Sequence, residues 1–225
     1  MKKLLIGLFA FAATTAFGQV RRGNNVVLQP QFGVFGGLSV ANQWIGDSYD
    51  GYSDKAKAGG IEGIQLALPI SYGWYIQPEV TYSNLGAREW GTFSGNDGSS
   101  FTGNMNYNFN YLSVPVLFKY SEPFTGLGIL FGPQYGYLLN AKSKPGQSGW
   151  EKGTITNDYH RSDLSGVVGL EYYFPNDGHP GAKFGFSMRY QFGFLNVNNG
   201  GITYDDGYQP SIRNDAFFLT AGVRF

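Results

Sequence analysis

The chain contains no cysteine, so a disulfide framework, a lipidated amino-terminal cysteine and thiol redox chemistry are all closed to it. Charge is scarce and balanced. Charged residues make up 14% of the sequence, with 16 Lys and Arg against 16 Asp and Glu, which removes the broad positive field that nucleic-acid binding requires. Beyond the first 18 residues no apolar run approaches the ~18 residues of a membrane-crossing helix. What is abundant is glycine, 34 residues, and aromatic rings, 17% of the chain. That balance is too aromatic for disorder and too poor in leucine and alanine for a helical bundle, leaving an all-β fold. If such a chain spans a membrane, only a closed barrel can do it.

The amino-terminal end has the layout of a secretory signal peptide. Met1-Lys2-Lys3 supplies positive charge, Leu4 to Ala13 an apolar stretch, and Ala16-Phe17-Gly18 a small-x-small site, so cleavage is expected after Gly18. The apolar stretch has roughly half the ~20 residues that would span a bilayer. Residues 19–30 read as a short polar lead-in, and residues 31–225 as a single β domain.

Eight segments read as strands: Gln31 to Val40, Gly59 to Leu68, Trp74 to Gly86, Phe109 to Tyr120, Gly126 to Ala141, Asp163 to Phe174, Ala182 to Val197 and Asp215 to Phe225. Their connections alternate in length. Pro69 to Gly73, Ser121 to Thr125 and Pro175 to Gly181 are short and turn-like. Ala41 to Ala58, Ala87 to Asn108, Lys142 to Ser162 and Asn198 to Asn214 are long, polar and glycine-rich, and a compact soluble domain rarely tolerates four such loops. Short turns at one end and long loops at the other match the periplasmic and extracellular ends of an outer-membrane barrel. The even strand count puts both termini at the short-turn end.

The strands are two-faced. Phe184, Phe186, Met188, Tyr190, Phe192 and Phe194 share one face, with Lys183, Gly185, Ser187, Arg189, Gln191 and Gly193 on the other. Leu164, Val168, Leu170, Tyr172 and Phe174 oppose Asp163, Ser165, Gly169, Glu171 and Tyr173 in the same way. Alternation alone leaves open whether the apolar face meets lipid or a soluble core, since a lipocalin-like barrel alternates too. Two belts of rings favour lipid: Trp74, Tyr120, Phe174 and Phe225 near the short turns, and Tyr82, Tyr137 and Phe194 nearer the long loops. With the apolar face outward, Glu79, Lys119, Glu171, Arg189 and Arg224 project into the lumen, where opposite charges can pair. A base facing the bilayer midplane costs roughly 2–4 kcal/mol. This charge cluster is either the lining of a selective pore or a packed plug, and a ring of ~8 strands leaves little space beyond its own side chains, which favours the plug.

Pro78, Pro115 and Pro133 fall inside strands, where each removes a ladder donor, so bulges are expected there. The same prolines belong to a pattern. Tyr75-Ile-Gln-Pro-Glu79 with Val80-Thr-Tyr-Ser-Asn-Leu-Gly86, then Asn110-Tyr-Leu-Ser-Val-Pro-Val-Leu-Phe-Lys-Tyr120, Phe131-Gly-Pro-Gln-Tyr-Gly-Tyr-Leu-Leu139 and Leu219-Thr-Ala-Gly-Val-Arg-Phe225 follow one another as in the PorT-like outer-membrane β-barrel proteins of Bacteroidetes, which this chain resembles. The resemblance covers essentially all of residues 19–225. The long fourth loop, Asn198 to Asn214, departs from the pattern. The resemblance implies an eight-stranded antiparallel up-and-down transmembrane β-barrel in the bacterial outer membrane after secretion, with residues 19–30 periplasmic. It implies little about activity, although some relatives serve type IX secretion and gliding.

The final strand also resembles the carboxy-terminal signal read by the barrel assembly machinery, with Phe217, Leu219, Val223 and Phe225 on its lipid face. Other expected partners are outer-membrane lipid and lipopolysaccharide, and a larger outer-membrane complex. Nucleic acid is not expected.

No catalytic, metal or cofactor site is expected. His160 and His179 fall at opposite ends of the barrel, which argues against a shared metal. His160 with Asp158, Asp163 and Ser162 is the one Ser-His-carboxylate candidate of the kind used by lipid A-modifying barrels, and solvated loop residues explain it better. Asp47, Asp50 and Asp54 lack the spacing of an EF-hand, and Asp205-Asp206 reads as a turn. The expected role is therefore non-enzymatic, either structural or partner-binding through the long loops. The alternatives are a narrow porin-like channel, an accessory subunit of a secretion or assembly complex, and a lipid A-modifying enzyme.

Overall fold

A computed structural model describes residues 29–45, 53–94, 100–122, 125–146, 153–175, 181–200 and 207–225. Its strands are β1 (Gln31–Ile45), β2 (Ser53–Ser71), β3 (Trp74–Leu85), β4 (Ala87–Ser94), β5 (Ser100–Ser121), β6 (Leu127–Pro145), β7 (Gly153–Thr154), β8 (Ser162–Tyr173), β9 (Lys183–Gly193) and β10 (Ile212–Arg224). All pairings are antiparallel, and the sheet closes because β10 returns to β1, from Gly33 opposite Arg224 to Ile45 opposite Ile212. β3 and β4 keep one register against β5, with Leu85 opposite Phe109 and Arg88 opposite Asn106, so they form one stave interrupted at Gly86. Gly86 has φ +139, and a Cβ there would lie 2.0 Å from the Tyr107 carbonyl oxygen. Only glycine fits that break. Leaving aside the two-residue β7, which pairs on the side of β6, the ring has eight staves. The architecture is the all-β up-and-down barrel expected. No helix among the described residues is long and apolar enough to cross a membrane.

The staves are uneven. β5 runs 22 residues and β2 and β6 run 19 each, against 12 for β8 and 11 for β9. A tilted strand crosses a bilayer in about 9–11 residues, so β2, β4, β5 and β6 rise well beyond that height at the long-loop end. Much of what reads in sequence as the loops Ala41 to Ala58, Ala87 to Asn108 and Lys142 to Ser162 is therefore sheet. Backbone pairing between neighbours holds it, with Thr92 and Thr102 hydroxyls also bonded across β4 and β5 at 2.8 Å.

The bulges expected at the prolines are absent. Register is unchanged through Pro78, Pro115 and Pro133, while the shifts fall at Pro69/Ser71 and at Asn110/Tyr111. The ladder opens instead, losing pairs between Pro115–Gln134 and Phe118–Phe131 and resuming in step. A missing donor costs a bond, but it need not insert a residue.

Outward residues are apolar along every stave, for example Leu38, Val80, Val116, Phe131, Leu170, Phe186 and Leu219, all exposed. Trp74 and Tyr120 rings lie 5.0 Å apart near the short turns, with Phe174 and Phe225 exposed beside that end. Tyr82, Tyr137 and Phe194 are exposed nearer the other end. Inward residues are mostly polar or charged toward the short turns and apolar toward the long loops.

Candidate functional site

The short-turn half of the lumen holds all five charged residues read from the alternation. Glu79, Lys119, Glu171, Arg189 and Arg224 each retain no more than 4% of their exposure. They meet in two groups. Arg189 Nη1 donates to Glu79 Oε2 at 2.6 Å. Glu171 accepts from both Lys119 Nζ, at 2.8 Å, and the two terminal nitrogens of Arg224. Gln77 joins the groups, donating to Glu79 at 2.7 Å and accepting from Arg224 at 3.3 Å.

Buried ion pairs repay their desolvation only when the remaining donors and acceptors are also met. Here neighbours meet most of them. Arg189 Nε donates to Ser187, whose hydroxyl lies 2.7 Å from that of Thr220. With three bases against two acids, the surplus cation sits among rings: Arg224 lies 3.8 Å from the Tyr173 centroid, Arg189 4.8 Å from Phe35 and Lys119 4.9 Å from Tyr75.

Several of these bonds cross the whole ring. β3 and β9 are four staves apart in eight, so Glu79 to Arg189 spans the lumen. Gln65 on β2 donates to the Tyr173 hydroxyl on β8 at 3.0 Å, and Asn214 on β10 to the Tyr111 hydroxyl on β5 at 3.0 Å. Both also join opposite staves. Side chains that reach across the bore take up its width at that level.

Toward the long-loop end the lumen turns apolar. Ile61, Leu85, Phe109, Tyr111, Leu138 and Phe218 point inward and form one buried cluster that extends down to Phe35, opposite Gly222, and is capped by Tyr159 and Val197 from the connections above and by Ile212 at the start of β10. Phe109 and Tyr159 rings meet edge-on at 4.8 Å. The cap is tied down by backbone: His160 N donates to Val197 O at 2.9 Å, and Val197 N to Ile212 O at 2.8 Å. This second storey was not foreseen from the sequence. Its signal was the apolar residues at inward parity on β3, β5, β6 and β10, such as Leu85, Phe109, Leu138 and Phe218.

The remaining candidates do not come together. Asp163 is buried and accepts from Asn214, Ser162 pairs outside with the Tyr135 hydroxyl, and His160 is exposed. They form no triad. His179, Asp47, Asp50, Asp205 and Asp206 lie outside the described residues, as does the side chain of Asp54. No group of three metal-binding side chains occurs among the described residues. Phe217, Leu219 and Phe225 are exposed and Val223 half-exposed on the outer face of β10, while Arg224 points inward. The expected signal peptide, residues 1–18, also lies outside the described residues.

On the outer face, where the apolar belt ends toward the long loops, three asparagines form a ladder. Asn84 donates to Asn110 at 2.7 Å and Asn110 to Asn140 at 2.9 Å, while Lys57 Nζ donates to Asn84 at 2.6 Å.

A family model described as "Outer membrane protein beta-barrel domain" matches residues 17–199. A search of curated protein sequences found no significant match. Among solved structures, Neisserial surface protein A superposes with a TM-score of 0.46 at 13% identity, over 86% of this chain and 95% of that one. Ail, the attachment invasion locus protein of Yersinia pestis, gives 0.42 at 16% identity, over 87% and 98%. OprG from Pseudomonas aeruginosa gives 0.39 at 12% identity, over 87% and 95%.

Proposed function

The chain belongs to the outer membrane protein beta-barrel domain family, and from that premise we propose a non-enzymatic, non-conducting barrel that works through the sheet raised above its long-loop end. Its place is the outer membrane. The short turns face the periplasm and the tall staves β2, β4, β5 and β6 face the cell exterior, as in other such barrels. Within the family, the proline and glycine motifs favour a PorT-like member from Bacteroidetes.

The observation that carries this reading is the two-storey lumen, with ion pairs and amides bridging opposite staves below and a capped apolar cluster above. With the bore filled, the surface left for work is external. Its partners are outer-membrane lipid, lipopolysaccharide and proteins of a larger envelope complex, reached by the projecting sheet. The outer face of β10, with Phe217, Leu219, Val223 and Phe225, is what the barrel assembly machinery reads.

Liposome swelling tests the reading. Vesicles carrying the purified barrel should swell in small sugars no faster than empty vesicles, and rapid swelling would contradict it. For the enzyme alternative, lipid A from cells with and without the protein should show the same acyl pattern by mass spectrometry.

A further inference from the structure

The outer face of the projecting sheet is basic where the apolar belt stops. Reading upward from the Tyr82–Leu112 row, the next cross-strand row is Asn84–Asn110–Asn140. Above it Asn108 pairs with Lys142, and then Arg88 with Asn106 and Asn106 with Lys144, with Lys55 beside Arg88. Lys55, Arg88, Lys142 and Lys144 are all exposed. No carboxylate pairs with any of them among the described residues. Of the nearby acids whose side chains are described, Glu89 faces inward and accepts from Tyr107, and Glu62 sits beside Tyr82, a row below the asparagines.

The rows also stand at a particular height. Each advances two residues, about 6.6 Å of strand and roughly 5 Å along the membrane normal for a strand tilted by about 40°. The two basic rows therefore lie about 5 Å and about 10 Å above the asparagine row, the first within a headgroup layer about 5–8 Å deep and the second at its outer edge. Asparagine fits that boundary because its amide donates without carrying charge. The ladder is polarised by Lys57 at one end, and no acceptor for the Asn140 amide nitrogen is found among the described residues. Arg161, exposed on the far side of β6 and bonded to the Leu138 carbonyl at 3.3 Å, continues the positive strip.

We propose that this strip, from Lys55 and Arg88 across to Lys142 and Lys144, binds the phosphate groups of a phosphorylated glycolipid in the outer leaflet. The bases neutralise the phosphates and the asparagine row donates to the sugar and carbonyl oxygens below. The proposal rests on the outer-membrane placement and on the long-loop end facing outward, and is independent of whether the lumen conducts.

The test uses the full barrel in nanodiscs, titrated with lipid A carrying both phosphates and with the same lipid after phosphatase treatment. Wild type should prefer the phosphorylated form. The triple variant Arg88→Gln, Lys142→Gln, Lys144→Gln should lose about tenfold or more in affinity for it, since each base near a charged surface contributes on the order of a fivefold factor. Lys183→Gln, at the short-turn end, should bind as wild type. Heat-modifiable migration of each sample verifies folding, and if the triple variant fails to fold, Lys142→Gln alone serves with a proportionate loss. Equal binding of both lipid forms by wild type, or unchanged affinity in the folded triple variant, overturns the proposal. So does complete displacement by millimolar inorganic phosphate, which would mark a site for the free anion.

Discussion

Arg189 reaches Glu79 across the full width of the barrel, with 2.6 Å between guanidinium nitrogen and carboxylate oxygen and three staves between their strands on either side. The pair is both a brace and an obstruction.

Breaking it from one side should be costly. Glu79→Leu leaves a buried guanidinium without its acid, and about 3–5 kcal/mol of stability should be lost. The double variant Glu79→Leu, Arg189→Met removes both charges and should recover most of that. Urea unfolding in lipid vesicles, followed by tryptophan fluorescence, measures each. An unperturbed single variant would remove the pair from the account.

The outward face predicts a second contrast. Phe186 is exposed to lipid and Ser187 buried inside, so Phe186→Arg should cost roughly 2–4 kcal/mol in vesicle folding, depending on its depth. Ser187→Asn should fold with a smaller penalty. Equal folding yields for the two variants would reverse the assignment of faces.

A third prediction concerns a glycine on the outer surface. The Phe192 ring lies over Gly166, where a Cβ would meet its Cζ at 2.4 Å. Gly166→Ala should therefore destabilise by about 1–3 kcal/mol through overpacking. Because the clash is with the far end of one side chain, Phe192→Leu should relieve it. Additive losses in the double variant would show that ring and glycine are not coupled.

The lower storey was legible because a period of two holds through β8, β9 and β10, so Glu171, Arg189 and Arg224 fall at lumen parity on inspection. Phe218 shares the Arg224 face by the same period of two. What the alternation could not reveal is that Phe218, Phe109 and Leu138 converge, since that depends on ring closure and stagger. Tyr159 and Ile212 lie outside the strands as read from sequence, Val197 was read as the last residue of the seventh strand, which ends at Gly193, and no local signal says that the three fold over the mouth. The tall staves were hidden for another reason. Ser100 to Asn108 does alternate, but its apolar Met105 and Tyr107 share the inward parity of Phe109 while Asn104, Asn106 and Asn108 take the outer one, so the lipid-facing pattern stops at Asn110 and the segment reads as loop. Pro115 and Pro133 misled toward bulges because sequence shows the missing donor but not whether the ladder resumes in register.

The outer face of β10 predicts behaviour in assembly. Phe225→Ser removes an exposed terminal ring while leaving the inward Arg224 in place. Folding in the presence of purified barrel assembly machinery should slow severalfold, and unassisted folding into thin vesicles should change little. Equal slowing in both assays would make the ring a matter of stability alone.

The central claim is that the lumen is closed at both storeys, and planar-bilayer recording of the purified wild-type barrel tests it most directly. The account predicts a baseline without current steps under applied voltage of either sign. Sustained, reproducible single-channel currents from the folded protein would contradict it.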